Sequence, residues 1–193
     1  MMHRVVVAFT GASGAAIGMR ILERLAARAG VETHTVISPH AERTLRHEVG
    51  GDAVERVAHL SSHRHACDNI GATIASGSFC TAGMIVAPCS MRSLAAISAG
   101  LSDNLVTRAA DVHLKERKPL ILLTREAPLH LGHLRNMVSA TELGAVIMPP
   151  MPAFYHQPQN VYDIIDNIAA RAIDLLRLPG PQEARAWRGS PTD

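Results

Sequence analysis

Aromatic residues are scarce: Phe, Trp and Tyr together make up 3% of the 193 residues, so the interior has to be built from Ala, Val, Ile, Leu and Met. Cysteine is nearly absent. Cys67, Cys80 and Cys89 form no CxxC pair, and so scattered an odd set argues against a disulfide scaffold or a structural zinc site while fitting a reduced, cytoplasmic protein. Long hydrophobic runs are missing too. No stretch reaches the ~18 apolar residues of a membrane span, and the run behind His3-Arg4 is too short for a signal sequence, so no membrane association is expected. Neither sign of charge dominates, with 19 Lys and Arg against 17 Asp and Glu. No broad surface therefore suits a nucleic-acid backbone, and any phosphate the chain binds has to be small and local.

Several chemical signatures are also absent. The glycine turn at 10–14 is neither GxGxxG nor a Walker A loop, and there is no GxSxG elbow to support a Ser-His-Asp hydrolase. His59, His63, His65 and Cys67 match no zinc spacing and have no convergent carboxylate in the sequence, so no metal is assigned.

What is present is alternation. With 47% hydrophobic and 19% charged residues the chain supports one large core, and short β-branched runs alternate with amphipathic stretches, the pattern of β-α units around a parallel sheet. Strands are predicted at Val5–Phe9, Val31–Ile37, Met84–Ala87, Pro119–Thr124 and Gly144–Met148. Helices are expected from Ala15 past Leu25, from Pro39 to about Val49 behind a Ser38 cap, behind Ser90, and from an Asp103 cap to Lys118. Two more are expected over Leu129–Glu142 and Val161–Leu178. In the last of these Asp163, Asp166, Arg171 and Asp174 should be exposed. Gly50–Ser78 is polar and reads as weak helix plus loop. Residues 1–178 then form a single α/β domain and residues 179–193 a C-terminal tail with one large anchor, Trp187.

Parallel sheets bind ligands beyond the carboxyl ends of their strands, where helix N-termini offer free N–H groups. Four such ends carry polar residues: Thr10-Gly11-Ala12-Ser13-Gly14, Ser38, Pro88-Cys89-Ser90-Met91-Arg92-Ser93 and Thr124-Arg125-Glu126. Gly11 and Gly14 let backbone approach an anion, and Ser13 adds a hydroxyl. Arg108 and Lys115 lie two helical turns apart and so share a face, from which they are expected to converge on one phosphate. The segment from Pro149 to Pro158 is a rigid, aromatic-bearing loop suited to a planar ligand or to contact between subunits.

The series TGASGA (10–15), ISPHAE (37–42), APCS (87–90), LVTRAADVHLKERKPLILLTREAPL (105–129) and GAVIMPPMPAFYHQPQ (144–159) resembles the UbiX-type flavin prenyltransferases from about residue 4 to 178. The resemblance implies a Rossmann-like or flavodoxin-like three-layer α/β sandwich with a mainly parallel sheet, assembled as a homododecamer. It implies a metal-independent enzyme that joins a dimethylallyl group from dimethylallyl phosphate to N5 and C6 of reduced FMN. The product, prenylated FMN, passes to a UbiD-type decarboxylase.

Residue by residue, the resemblance assigns FMN binding to Gly11, Ala12, Ser13, Ser38, Ser90, Met91, Arg92, Ser93 and Arg125. The allyl phosphate falls to Arg108, Lys115, Arg125, Glu126, Tyr155 and Arg171, and catalysis to Ser13, Glu48 and Glu126. SMRS at 90–93 replaces the commoner STGT, Arg135 stands where Glu is common, and Thr124 where Pro or Leu is usual. Trp187 is similar to a tryptophan that closes over the site in some members. Two other classes stay open: an FMN-binding accessory subunit of a decarboxylase, which would need none of the phosphate-facing charges, and a flavin-dependent cysteine decarboxylase, which shares the fold and FMN site. The second carries a PxMNxxMW loop where this chain has PPMPAFYHQP.

Overall fold

The computed structural model describes residues 2–187 and 189. In chain order the elements are β1 (His3–Phe9), α1 (Ala15–Ala26), β2 (Val31–Ile37), α2 (Pro39–Glu48), α3 (Ala53–Leu60), β3 (His63–His65), β4 (Gly83–Cys89), α4 (Met91–Ser98), α5 (Leu105–Lys115), β5 (Leu120–Thr124), α6 (Leu131–Glu142), β6 (Val146–Ile147) and α7 (Val161–Asp174). The strands form one sheet in the order β3-β2-β1-β4-β5-β6, and every neighbouring pair is parallel. The chain winds outward from β1 to one side and then returns to β4, so the winding reverses between β1 and β4.

Alternation along the central strands divides the core into two layers. Val5, Val7, Phe9, Ile85, Ala87, Ile121 and Leu123 point to the side covered by α1, α2, α3 and α7. Val6, Ala8, Met84, Val86, Leu120 and Leu122 point to the side covered by α4, α5 and α6. The result is the expected three-layer α/β sandwich. Gly18 lets α1 lie close on the sheet: a Cβ there would come within 2.2 Å of the Ala87 carbonyl oxygen and 2.6 Å of the Phe9 ring.

Several boundaries differ from the sequence reading. Asn104, not Asp103, caps α5: its Oδ1 accepts the N–H groups of Val106 and Thr107 at 2.9 and 3.2 Å, while Asp103 pairs with Arg92. The helix stops at Lys115 because Arg117 turns left-handed (φ 56°) ahead of Lys118-Pro119. The polar stretch after Gly50 holds a full helix, α3, and the short edge strand β3, whose His-Arg-His sequence carries no apolar signal. β4 continues through Pro88 to Cys89, with its register against β5 shifting after Val86. β6 is only two residues long, α6 begins at Leu131, and α7 ends at Asp174.

Asp166 is not a free surface charge. It receives Arg20 at 2.6 Å and Arg24 at 2.7 Å across the α1–α7 contact, and the Arg24 guanidinium, with Arg20 beside it, holds its carboxyl below the usual range. Asp174 is also engaged, accepting the N–H groups of Glu183 and Ala184 at 2.7 and 3.1 Å. Glu183 itself pairs with Arg24 and Arg28 at 2.8 and 2.6 Å. The tail is thus tied to α1 and α7 by charge, and Trp187 meets the Tyr155 ring edge-on at 5.2 Å.

Candidate active site

The β1 and β4 ends are joined by Thr10, whose hydroxyl donates to the Pro88 carbonyl at 2.7 Å and accepts the Ser90 N–H at 2.8 Å. Around this joint lies a cavity of about 630 Å³, within the range of small-molecule sites. Thr10, Gly11, Ser38, Pro39 and His40 line one side, and Ser90, Arg92, Ser93, Asp103, Asn104 and Val106 another, with Cys67 and Asp68 between them.

Helices α2 and α4 start at this cavity, so their positive ends make the rim receptive to an anion, and α1 starts beside it. Ser38 caps α2 by accepting the Ala41 N–H at 3.3 Å, and Ser90 caps α4 by accepting the Ser93 N–H at 3.2 Å. The glycine turn presses against α2: a Cβ on Gly11 would stand 2.5 Å from the His40 Cβ, so no larger residue fits there unchanged. Gly14 takes φ 108°, a conformation that glycine alone adopts freely, and caps α1 without a side chain.

The acceptor that α1 lacks comes from another helix. Glu48, the last residue of α2, extends its Oε2 to the N–H groups of Gly14 at 2.9 Å and Ala15 at 2.8 Å. An exposed carboxylate is thereby fixed directly over the glycine turn. The two thiols nearby are poor nucleophiles. Burial pushes Cys89 up to about 12, and it raises Cys67 as well, so both stay protonated at neutral pH.

Of the residues expected to bind FMN, Gly11, Ser38, Ser90, Arg92 and Ser93 line this cavity. Ala12 and Ser13 lie in the adjoining turn, Met91 opens α4 with its side chain partly packed into the core, and Arg125 stands exposed beyond β5 with its N–H on the Cys89 carbonyl. Glu126 follows it, also exposed, accepting the Ala127 N–H at 3.0 Å. Thr10, Pro39, His40, Cys67, Asp68, Asp103, Asn104 and Val106 also line the cavity and were not among the residues assigned to the site. Thr10 was legible as part of the first polar strand end, and Pro39 and His40 follow Ser38 directly at the start of α2; Cys67, Asp68, Asp103, Asn104 and Val106 reach the rim through the path of the chain after β3 and α4.

The residues expected around the allyl phosphate do not meet in one chain. Arg108, in the first turns of α5, pairs with Asp111 at 2.7 Å, whereas Lys115 ends that helix paired with Glu116. Since α5 runs back against the strands, Lys115 lies beside the start of β5 and Arg125 beyond its end, with the roughly 16 Å of a five-residue strand between them. Arg171 is exposed on α7, across the sheet from α5, and Tyr155 stands 60% exposed near Trp187. The expected convergence of Arg108 and Lys115 is therefore not formed within a single copy.

A doubly wound sheet with an anion-receptive cavity at its reversal point suits a flavin phosphate, and the chain matches the Flavoprotein family over residues 1–172. It is 47% identical over 190 residues to flavin prenyltransferase UbiX of Escherichia coli (strain K12), covering 98% of this chain and 100% of that protein. Identity to flavin prenyltransferase UbiX of Thauera aromatica is 51% over 187 residues, covering 97% and 95%. The crystal structure of AnUbiX (PadA1) in complex with FMN and dimethylallyl pyrophosphate superimposes with a TM-score of 0.93 at 45% identity, over 98% of this chain and all of that one (100%). A dodecameric FMN-dependent UbiX-like decarboxylase from Escherichia coli O157:H7 gives 0.91 at 46% identity, over 96% and 100%. The chain belongs to the UbiX-type flavin prenyltransferase family.

Proposed function

We propose that this protein is a flavin prenyltransferase that joins a dimethylallyl group to N5 and C6 of reduced FMN. The observation that carries this reading is the cavity at the β1/β4 reversal, served by the starts of α1, α2 and α4, in a chain of this family. The allylic C–O bond breaks with its electron pair leaving on phosphate and one carbon bonds to N5, which gives up its proton; a proton then adds to the remaining C=C bond, and the carbon cation so formed closes onto C6, which releases its own proton.

The chain's own groups supply what this chemistry needs. Gly11, Ala12, Ser13, Ser38, the Ser90–Ser93 turn and Arg125 hold FMN. Glu48, fixed over the glycine turn, faces the developing allyl cation and with Ser13 handles protons there, and Glu126 accepts a proton by way of the phosphate. Arg108, Lys115, Arg125, Tyr155 and Arg171 neutralise the departing phosphate.

Because those last residues are dispersed in one chain, neighbouring copies complete the donor site. The apolar stripe Leu131, Leu134 and Val138 on α6 and the exposed Phe154, Val161 and Tyr162 support assembly, and the dodecameric relative makes a dodecamer the preferred state. The product serves a UbiD-type decarboxylase. The three free thiols favour a cytoplasmic location, and among the described residues no helix is long and apolar enough to cross a membrane.

The test is anaerobic incubation with reduced FMN and either dimethylallyl phosphate or the diphosphate, followed by mass analysis of the flavin. A prenylated flavin with one donor supports the reading and identifies that donor. Unmodified FMN with both, despite FMN binding, overturns it in favour of an FMN-binding accessory subunit.

A further inference from the structure

The β2/β3 edge of the sheet holds a cluster that the prenyl transfer does not use. Parallel pairing of β2 and β3 sets His63 directly opposite His34, and on the same face Glu32 lies two residues before His34 and His65 two residues after His63. The carboxylate that the His-rich segment lacks in sequence is therefore delivered by the neighbouring strand. Glu32 Oε1 lies 2.8 Å from His34 Nε2 and 3.6 Å from His63 Nε2, and one donor atom from each of the three residues falls within 4.8 Å of the others.

We propose that Glu32, His34 and His63 form a binding site for a divalent transition-metal ion of the zinc class, pinning the edge strand β3 to β2. Two imidazoles and a carboxylate are a donor set such ions favour, with metal–ligand distances of ~2.0–2.2 Å that place neighbouring donors roughly 3.4 Å apart. The two separations to Glu32 bracket that value. His63, 57% exposed on an edge strand, is free to turn inward, while His34 is buried and fixed.

The surrounding groups suit this role. His34 Nδ1 lies 2.9 Å from His65 Nε2, so the tautomer with its proton on Nδ1 donates to His65 and leaves Nε2 for the metal. Phe79 packs edge-on against the His34 ring at 5.1 Å, closing one side of the site and limiting its hydration. One group opposes binding: Arg4 Nε shares Glu32 Oε1 at 3.1 Å while its guanidinium lies over Phe79, so a metal must displace it from that oxygen. Three protein ligands leave a coordination position open to water. The site is separate from the flavin cavity, since His34 precedes Ser38 by four residues of extended chain, roughly 13 Å.

The experiment titrates the untagged chain with Zn²⁺ against a chromophoric chelator, repeats it with Co²⁺ while recording visible absorption, and follows the melting temperature. Expected are one site per chain, the intense visible bands of four-coordinate cobalt, and a rise in melting temperature on adding zinc. His63→Ala should weaken zinc binding at least tenfold and abolish the cobalt bands, while His59→Ala, on α3, should change neither. Arg4→Gln should tighten binding by removing the competing cation. FMN binding monitors folding of each variant and should persist in all of them. Wild-type and His63→Ala binding zinc alike, or cobalt giving only the weak spectrum of the hydrated ion, would overturn the proposal.

Discussion

Replacing Glu48 separates a structural carboxylate from a chemical one. Its Oε2 satisfies two of the four N–H groups that α1 leaves without partners, and α1 has no acidic residue in its own first turn. The same charge sits at the C-terminus of α2, where the helix dipole disfavours it. Each dipole interaction at an exposed position is worth about 0.3–1 kcal/mol, so the two largely cancel when Glu48→Gln removes the charge and keeps the acceptor oxygen. That variant should melt close to wild type. Glu48→Ala also removes both hydrogen bonds, but the freed N–H groups can hydrate, so the cost should be about 1 kcal/mol, or roughly 2–4 °C in a domain of this size. If the carboxylate acts on the reacting atoms, turnover of both variants should instead fall on the order of a hundredfold, about 3 kcal/mol of transition-state stabilisation. The assay pairs thermal melts and FMN affinity with single-turnover formation of the prenylated flavin. Near wild-type turnover in Glu48→Gln would refute the chemical role and leave Glu48 as a helix cap. Loss of FMN affinity alone would make it a flavin ligand.

Gly18→Ala gains helix propensity of about 1 kcal/mol but drives a Cβ to 2.2 Å from the Ala87 carbonyl oxygen, so net destabilisation of about 2 kcal/mol is expected; a higher melting temperature would show that α1 moves away freely. His113 is fully buried between the Ala109 carbonyl at 2.7 Å and the Thr81 hydroxyl at 2.9 Å, and burial pushes its pKa down to about 4. The unfolded chain therefore takes up this proton first. The stability this site confers is complete above about pH 6.5 and declines by about 3 kcal/mol as pH falls to 4, a loss that denaturant titrations should find reduced in His113→Gln. Lys115→Ala should reduce efficiency toward the allyl donor more than Tyr155→Phe, which removes one neutral hydroxyl, with reduced FMN saturating. Co-assembly of inactive Lys115→Ala and Glu48→Gln chains should restore part of the activity, and no restoration would mean that the donor site is not shared between copies.

By itself the sequence determined the parallel α/β architecture, because strands buried on both faces read as unbroken apolar runs and Val5–Phe9, Met84–Ala87 and Leu120–Leu123 have them. It also determined the glycine turn and the Ser38 and Ser90 caps, whose signals lie within a few residues of one another. Motif resemblance carried the family across nearly the whole chain. Tertiary structure alone decided the rest, because those features depend on contacts between residues far apart in the chain. The short strand β3 exists through its hydrogen bonds to β2, since His63-Arg64-His65 has no apolar alternation of its own. Glu48 reaches the amides of α1 only because α2 folds back toward the glycine turn, and Asp166 meets Arg20 and Arg24 only because α7 lies on α1. Lys115 and Arg125, ten residues apart, lie toward opposite ends of β5 because the whole strand intervenes, a separation that helical spacing within α5 cannot reveal.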